Sequence, residues 1–110
     1  MSRFMTRNEE ILLLAVLKLR GQAYGVSIRK QIQKDTGDVW SFASIYQPLD
    51  LLVRKKYVRR IKGPSTAVRG GKSKFFYEIT PDGVRSLQEI NETHCRVWSG
   101  VLDILPEKER

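Results

Sequence analysis

Between Asp50 and Glu78 the chain has no acidic residue, although twelve occur among its 110 residues. It is also poor in cysteine and histidine, with one of each, has only four prolines, and carries no apolar run longer than Ile11 to Leu17. Each scarcity removes a class of explanation. A lone Cys95 cannot close an intramolecular disulfide, and no charged, apolar, small-residue export pattern opens the chain, so a reducing cytoplasm is expected. An apolar run that short falls far below the ~20 residues that span a bilayer, which predicts a soluble protein. One histidine, no nucleotide-binding glycine signature and no paired carboxylates in a plausible cleft leave catalysis without support. His94 and Cys95 are adjacent, and neighbouring helical residues point about 100° apart, so they make a poor metal site without a second ligand pair. The expectation is a protein with no enzymatic activity, no cofactor and no metal.

The composition, 41% hydrophobic and 29% charged, is that of a folded chain, long enough for one domain with a small core and too short for two. The formal net charge is +8, and its distribution is uneven. Nine positive charges, from Arg54 to Lys74, fall inside the acid-free segment, so the rest of the chain sums to −1. A basic face this localised fits a polyanionic partner better than a solvated charge run.

Local chemistry outlines the elements. Thr6 or Asn8 can cap a first helix with Glu9 and Glu10 in its first turn, ending near Lys18, Arg20 and Gly21. A short amphipathic second helix follows Gly25, with Val26, Ile28 or Arg29, and Ile32 on one side and Lys30, Gln33 and Lys34 on the other, and stops at Thr36 and Gly37. Ser41 is a good cap for a third, in which Ile45, Leu49, Leu52 and Val53 face inward. Pro48 lies within that helix, where it removes a backbone donor, so a kink or a late start is expected. Tyr57 to Ile61 and Lys74 to Ile79 read as two strands, bracketing a loop with Gly63, Pro64, Gly70 and Gly71. Phe75 and Tyr77 share one strand face and Phe76 takes the other, one set forming core and the other packing on the last helix. Thr80, Pro81 and Asp82 form a helix start, and the fourth helix is expected to run to about Leu105.

Helix, helix, helix, hairpin, helix is the order of a winged helix-turn-helix. The fold class is therefore mainly α with a small β-hairpin, with a DNA-binding unit over 1–80 and a C-terminal dimerisation helix and tail over 81–110 in one compact body. The third helix would enter the major groove, with Ser41, Ala43, Ser44 and Gln47 facing bases. Arg54, Lys55, Arg69, Lys72, Ser73 and Lys74 would meet phosphates or the minor groove, the last four from the hairpin tip or wing. On the fourth helix Val84, Asn91, Trp98 and Leu105 share one heptad position, Leu87, His94 and Val101 the other, and Ile90, Val97 and Ile104 widen the stripe. So wide a stripe predicts a second copy of the chain, packed against Leu87, Ile90, Asn91, His94, Val97, Trp98 and Val101. Trp98, one turn from His94, is a packed interfacial residue or a platform for a planar small molecule.

The motifs "ILLLAVLKLRGQAYGVSIRK", "IYQPLDLLVRKKYV" and "GKSKFFYEITPDG" together resemble the PadR family of bacterial transcriptional regulators over nearly the whole chain. The last is the most specific, since it matches glycines, paired aromatics and the Thr of the helix start. The resemblance implies a homodimeric repressor, commonly responsive to a small molecule, of the short subclass with a single C-terminal helix and no separate effector domain. It also implies that the matched tyrosine, Tyr46, contacts a phosphate of double-stranded DNA carrying an inverted repeat, at the bacterial nucleoid. Two departures stand out: Gln47 intervenes between Tyr46 and Pro48, and Lys56 stands where the family has glycine, so the turn into the first strand should be strained or rebuilt. An RNA-binding module or an adaptor for an acidic protein would share the basic wing; the wide heptad favours a two-fold protein on a palindromic duplex.

Overall fold

In the computed structural model, which describes residues 5–65 and 73–107, the chain enters its first helix through a reciprocal cap. The Thr6 hydroxyl accepts from the Glu9 amide at 3.1 Å, and the Glu9 carboxylate accepts from the Thr6 amide at 2.9 Å. Thr6, not Asn8, is therefore the cap of α1, Arg7–Leu19. Arg20 closes it in the left-handed region and Gly21 follows with φ of 85°. Helix α2 spans Gly25–Thr36 and ends on Gly37, also left-handed.

Helix α3 spans Phe42–Arg54 and begins directly after Ser41, whose hydroxyl accepts from the Ser44 amide at 3.1 Å. The late start expected from Pro48 does not occur; one helix contains the proline. The missing Pro48 N–H leaves only the Ser44 carbonyl without its intrahelical donor, and that carbonyl belongs to an exposed residue. Burial of Ile45, Leu49 and Leu52 on the opposite face outweighs that loss. Lys56 then adopts φ of 67°, the conformation for which glycine is the usual choice, so the rebuilt turn is a left-handed lysine.

Strands β1, Val58–Ser65, and β2, Ser73–Ile79, pair antiparallel with Val58 opposite Ile79 and Lys62 opposite Phe75, and the register slips between Lys62 and Ser65. Ala23 adds a single bridge to Tyr77, whose amide donates to the Ala23 carbonyl at 2.8 Å, tying the hairpin to the α1–α2 turn. The core lies where these elements converge. Leu12, Leu13 and Val16 of α1 meet Ile28 and Ile32 of α2, the inner face of α3, Val58, Tyr77 and Leu87. The expected pairing of Phe75 with Tyr77 as one buried or outer set fails: Tyr77 is core, Phe75 is exposed. Phe76, expected to pack on the last helix if outside the core, instead meets Tyr24 edge-on at 5.5 Å. Val26, read as part of the inner face of α2, is exposed.

The fourth helix is shorter than its heptad. Helix α4 spans Pro81–Trp98, Ser99 leaves helical geometry with ψ of 123°, Gly100 turns left-handed at φ of 78°, and a separate α5 covers Val101–Ile104. A glycine can take that conformation without steric cost, so the chain leaves the helix there although the apolar phase continues. Val101, Ile104 and Leu105 consequently do not belong to the α4 stripe, and Leu87 belongs to the core of its own subunit. Among the described residues no helix is long and apolar enough to cross a membrane.

Candidate nucleic-acid interface

The outer face of α3 presents Ser41, Ala43, Ser44, Tyr46 and Gln47, all exposed. Ser41 is only partly available, because its hydroxyl caps the helix and also donates to the Ser44 hydroxyl at 3.0 Å. Ser44, whose hydroxyl accepts from Ser41, and Gln47 are exposed polar side chains, with the donors and acceptors base-edge recognition needs. An unexpected residue stands beside them. Phe42 opens the helix, exposed, and its ring stacks on Tyr46 at 6.2 Å with 23° between planes. The Arg29 guanidinium lies 4.7 Å from the Phe42 ring centre, and Arg29 Nε donates to the Trp40 carbonyl at 2.8 Å.

Beside this face a notch of about 460 Å³ opens between the start of α2, α3 and the hairpin, with Tyr24, Gly25, Tyr46, Asp50, Arg60 and Lys74 around it. No side chain hydrogen-bonds the first amides of α2, and the Tyr46 hydroxyl lies against its first residue, the buried Gly25. A Cβ at Gly25 would land on the Tyr46 hydroxyl, so the missing side chain is what seats the tyrosine against the helix start. Lys74 sits 4.3 Å over the Tyr24 ring, and Arg60 4.9 Å over that of Phe75. At the back, burial pushes the Tyr77 phenol above its ordinary pKa, with the Arg60 charge pulling the other way. A helix start, a phenol and two cations suit one phosphate oxygen set, with Asp50 the one opposing charge.

The other sequence candidates separate. Arg54 is exposed at the far end of α3, about 18 Å along the axis from Phe42. Lys55 is engaged elsewhere: its ammonium bonds the buried Glu9 carboxylate at 3.3 Å, closing α3 onto the cap of α1. Arg69 and Lys72 lie outside the described residues, and Ser73 is placed only as the first residue of β2. Sequence reasoning missed Phe42, Arg29 and Arg60. The four-residue spacing of Phe42 and Tyr46 was the available signal for the first, since it puts both rings on one helical face.

Helix α4 ends in exposed apolar residues. Val97 is 69% exposed, and Trp98 stacks on His94 with centroids 5.7 Å apart. Asn91 and His94 also edge a groove of about 400 Å³ against Ile11, Leu14 and Lys18 of α1. There Lys18 bonds Asp35 at 2.9 Å, and this bond, with help from Gln31, holds the Asp35 carboxyl below its usual pKa.

A family model described as "Transcriptional regulator PadR-like family" matches residues 13–89. Among curated protein sequences no relative matches. Among solved structures, a PadR-like transcriptional regulator from Bacillus cereus superposes with a TM-score of 0.71 at 22% identity, covering 91% of this chain and 92% of that one. A transcriptional regulator from Clostridium thermocellum gives 0.72 at 21% identity with 90% of each chain covered. F93 from STIV, a winged-helix DNA-binding protein, gives 0.67 at 20% identity, with coverage of 86% and 95%. At such identities these likenesses establish the fold, a winged helix.

Proposed function

The chain belongs to the PadR-like family of transcriptional regulators, and from that premise we propose that it is a sequence-specific repressor acting as a homodimer on an inverted-repeat operator in the bacterial cytoplasm. The observation that carries the reading is the continuity of one surface. The polar and small side chains of α3 adjoin the notch formed by the α2 start, Tyr46 and Lys74, so base contacts and phosphate contacts fall side by side. Ala43, Ser44 and Gln47 face bases, and Tyr46, Arg60 and Lys74 grip the adjoining backbone. Two such faces about 34 Å apart would meet successive major grooves, which requires the exposed end of α4 to hold a second copy. A planar small molecule stacking on Trp98 at that junction would relieve repression by shifting the spacing of the two faces.

The reading is tested by enriching duplexes from a random library and comparing the enriched duplex with structured RNA and an acidic protein as competitors in filter binding. An inverted repeat that outcompetes both is the expected result; preference for RNA or for the acidic protein would replace the operator model.

Two substitutions separate DNA contacts from structural cations. Arg60→Ala with Lys74→Ala should weaken binding to all duplexes and reduce the slope of log affinity against log salt by about two, roughly one for each lost phosphate contact. Lys55→Ala should leave that slope unchanged and instead cost about 1 kcal/mol of folding stability, because it strips a buried carboxylate of its cation at a partly solvated site. Salt titrations of affinity and urea unfolding check the pair.

A further inference from the structure

Phe42 is 41% exposed at the first position of α3, while Ile45, Leu49 and Leu52 already form the buried face of that helix, so core packing does not account for it. Nor is the ring loose. It is stacked on Tyr46, covered by the Arg29 guanidinium, and Arg29 is itself fixed to the Trp40 carbonyl. An apolar ring is thus held in place at the N-terminal tip of the helix whose first residues approach base edges in helix-turn-helix proteins.

We propose that Phe42 is a specificity-determining residue that reads thymine, its ring packing on the 5-methyl group of one thymine per half-site in the major groove. The inference rests on the DNA-binding reading above and adds to it the base that is recognised. The thymine methyl is the apolar group that a base pair displays in the major groove; cytosine offers an amino donor there, which a phenyl ring would desolvate without pairing. Ala43 and Ser44, next in the helix, are short, so neither side chain crowds a base pair approaching the exposed ring. Tyr46 and Arg29 contribute by positioning the ring, which lowers the ordering cost of the contact.

The test starts from duplexes that the wild-type protein enriches from a random library, resynthesised with deoxyuridine for thymidine at each enriched position. Uracil differs from thymine only in lacking the methyl group. One position per half-site should show wild-type affinity falling about fourfold for each thymine replaced, the value of burying one methyl group. At that position Phe42→Ala should lose both the enrichment for thymine and the distinction from uracil, and Phe42→Leu should retain part of each. Equal wild-type affinity for thymine and uracil duplexes at every position, or discrimination that survives in Phe42→Ala, overturns the proposal and leaves the DNA-binding reading intact. Enrichment of no duplex overturns both. The uracil comparison uses the wild-type chain, so its outcome does not depend on how well a variant folds.

Discussion

Gly83→Ala is expected to lower folding stability by about 3 kcal/mol and the melting temperature by roughly 10 to 20 °C. Gly83 lies buried in the first turn of α4, and a Cβ there would run into the Tyr57 carbonyl oxygen and the Ile79 side chain, 2.7 Å from its Cγ1. The carbonyl cannot move aside, because it accepts the Thr80 amide at 3.0 Å. The same junction is tied by the Thr80 hydroxyl, which donates to the Lys56 carbonyl at 2.7 Å and accepts from the Gly83 amide at 3.1 Å. Relief would require α4 to lift off the hairpin and take Leu87 out of the core with it. Gly21→Ala is the informative contrast. It has a positive φ but open space around it, so its cost is backbone strain alone, about 1 kcal/mol. Thermal unfolding followed by circular dichroism ranks the two; equal losses would mean that close packing at the α4 start does not limit stability.

Gly83 also shows what kind of information a sequence yields readily. The Thr-Pro-Asp-Gly run announces a helix start, and the structure adds why its fourth residue is glycine: the helix starts against a backbone carbonyl. Caps at Thr6, Ser41 and Thr80 were legible because each joins residues three apart, and the hairpin because β-branched and aromatic residues alternate between glycines. The end of α4 was not. Apolar residues keep the heptad phase past Trp98, so periodicity reads through Gly100, whereas a left-handed φ at one residue redirects the chain. Phe75 was misjudged for a related reason: alternation assigns a strand face, but not whether each residue on it is covered, and here Tyr77 is buried while Phe75, two residues nearer the loop, is exposed. In the candidate site, the positive charge of Lys55 was legible and its role was not, since its partner Glu9 lies 46 residues earlier. Phe42 and Arg29, on different helices, come together only once α2 and α3 pack.

If the proposed homodimer forms through the α4 end, Val97→Asp combined with Trp98→Ala is expected to leave a folded monomer, raising the dissociation constant by about 10²-fold or more. Both residues project from the last turn of α4 into solvent in the single subunit, and Ile104 of α5 is more exposed still, at 81%. A cluster of large apolar side chains at one end of so small a chain is the usual mark of a surface that meets a partner. In a dimer the aspartate would be an unpaired charge taken out of water on both sides of the two-fold axis, and the alanine would remove an aromatic anchor. Because neither side chain belongs to the core, the melting curve of the isolated subunit should be nearly unchanged, so loss of assembly is separable from loss of fold. The monomer retains α3, Tyr46 and Lys74 and should bind any duplex weakly. It should lose its preference for an inverted repeat, because one recognition helix cannot report the spacing between two half-sites. Sedimentation decides the question. A variant still dimeric at low micromolar concentration would move the subunit contact away from the α4 end, and with it any ligand stacked on Trp98; a variant that is monomeric yet holds its palindrome preference would remove the two-fold arrangement from operator recognition altogether.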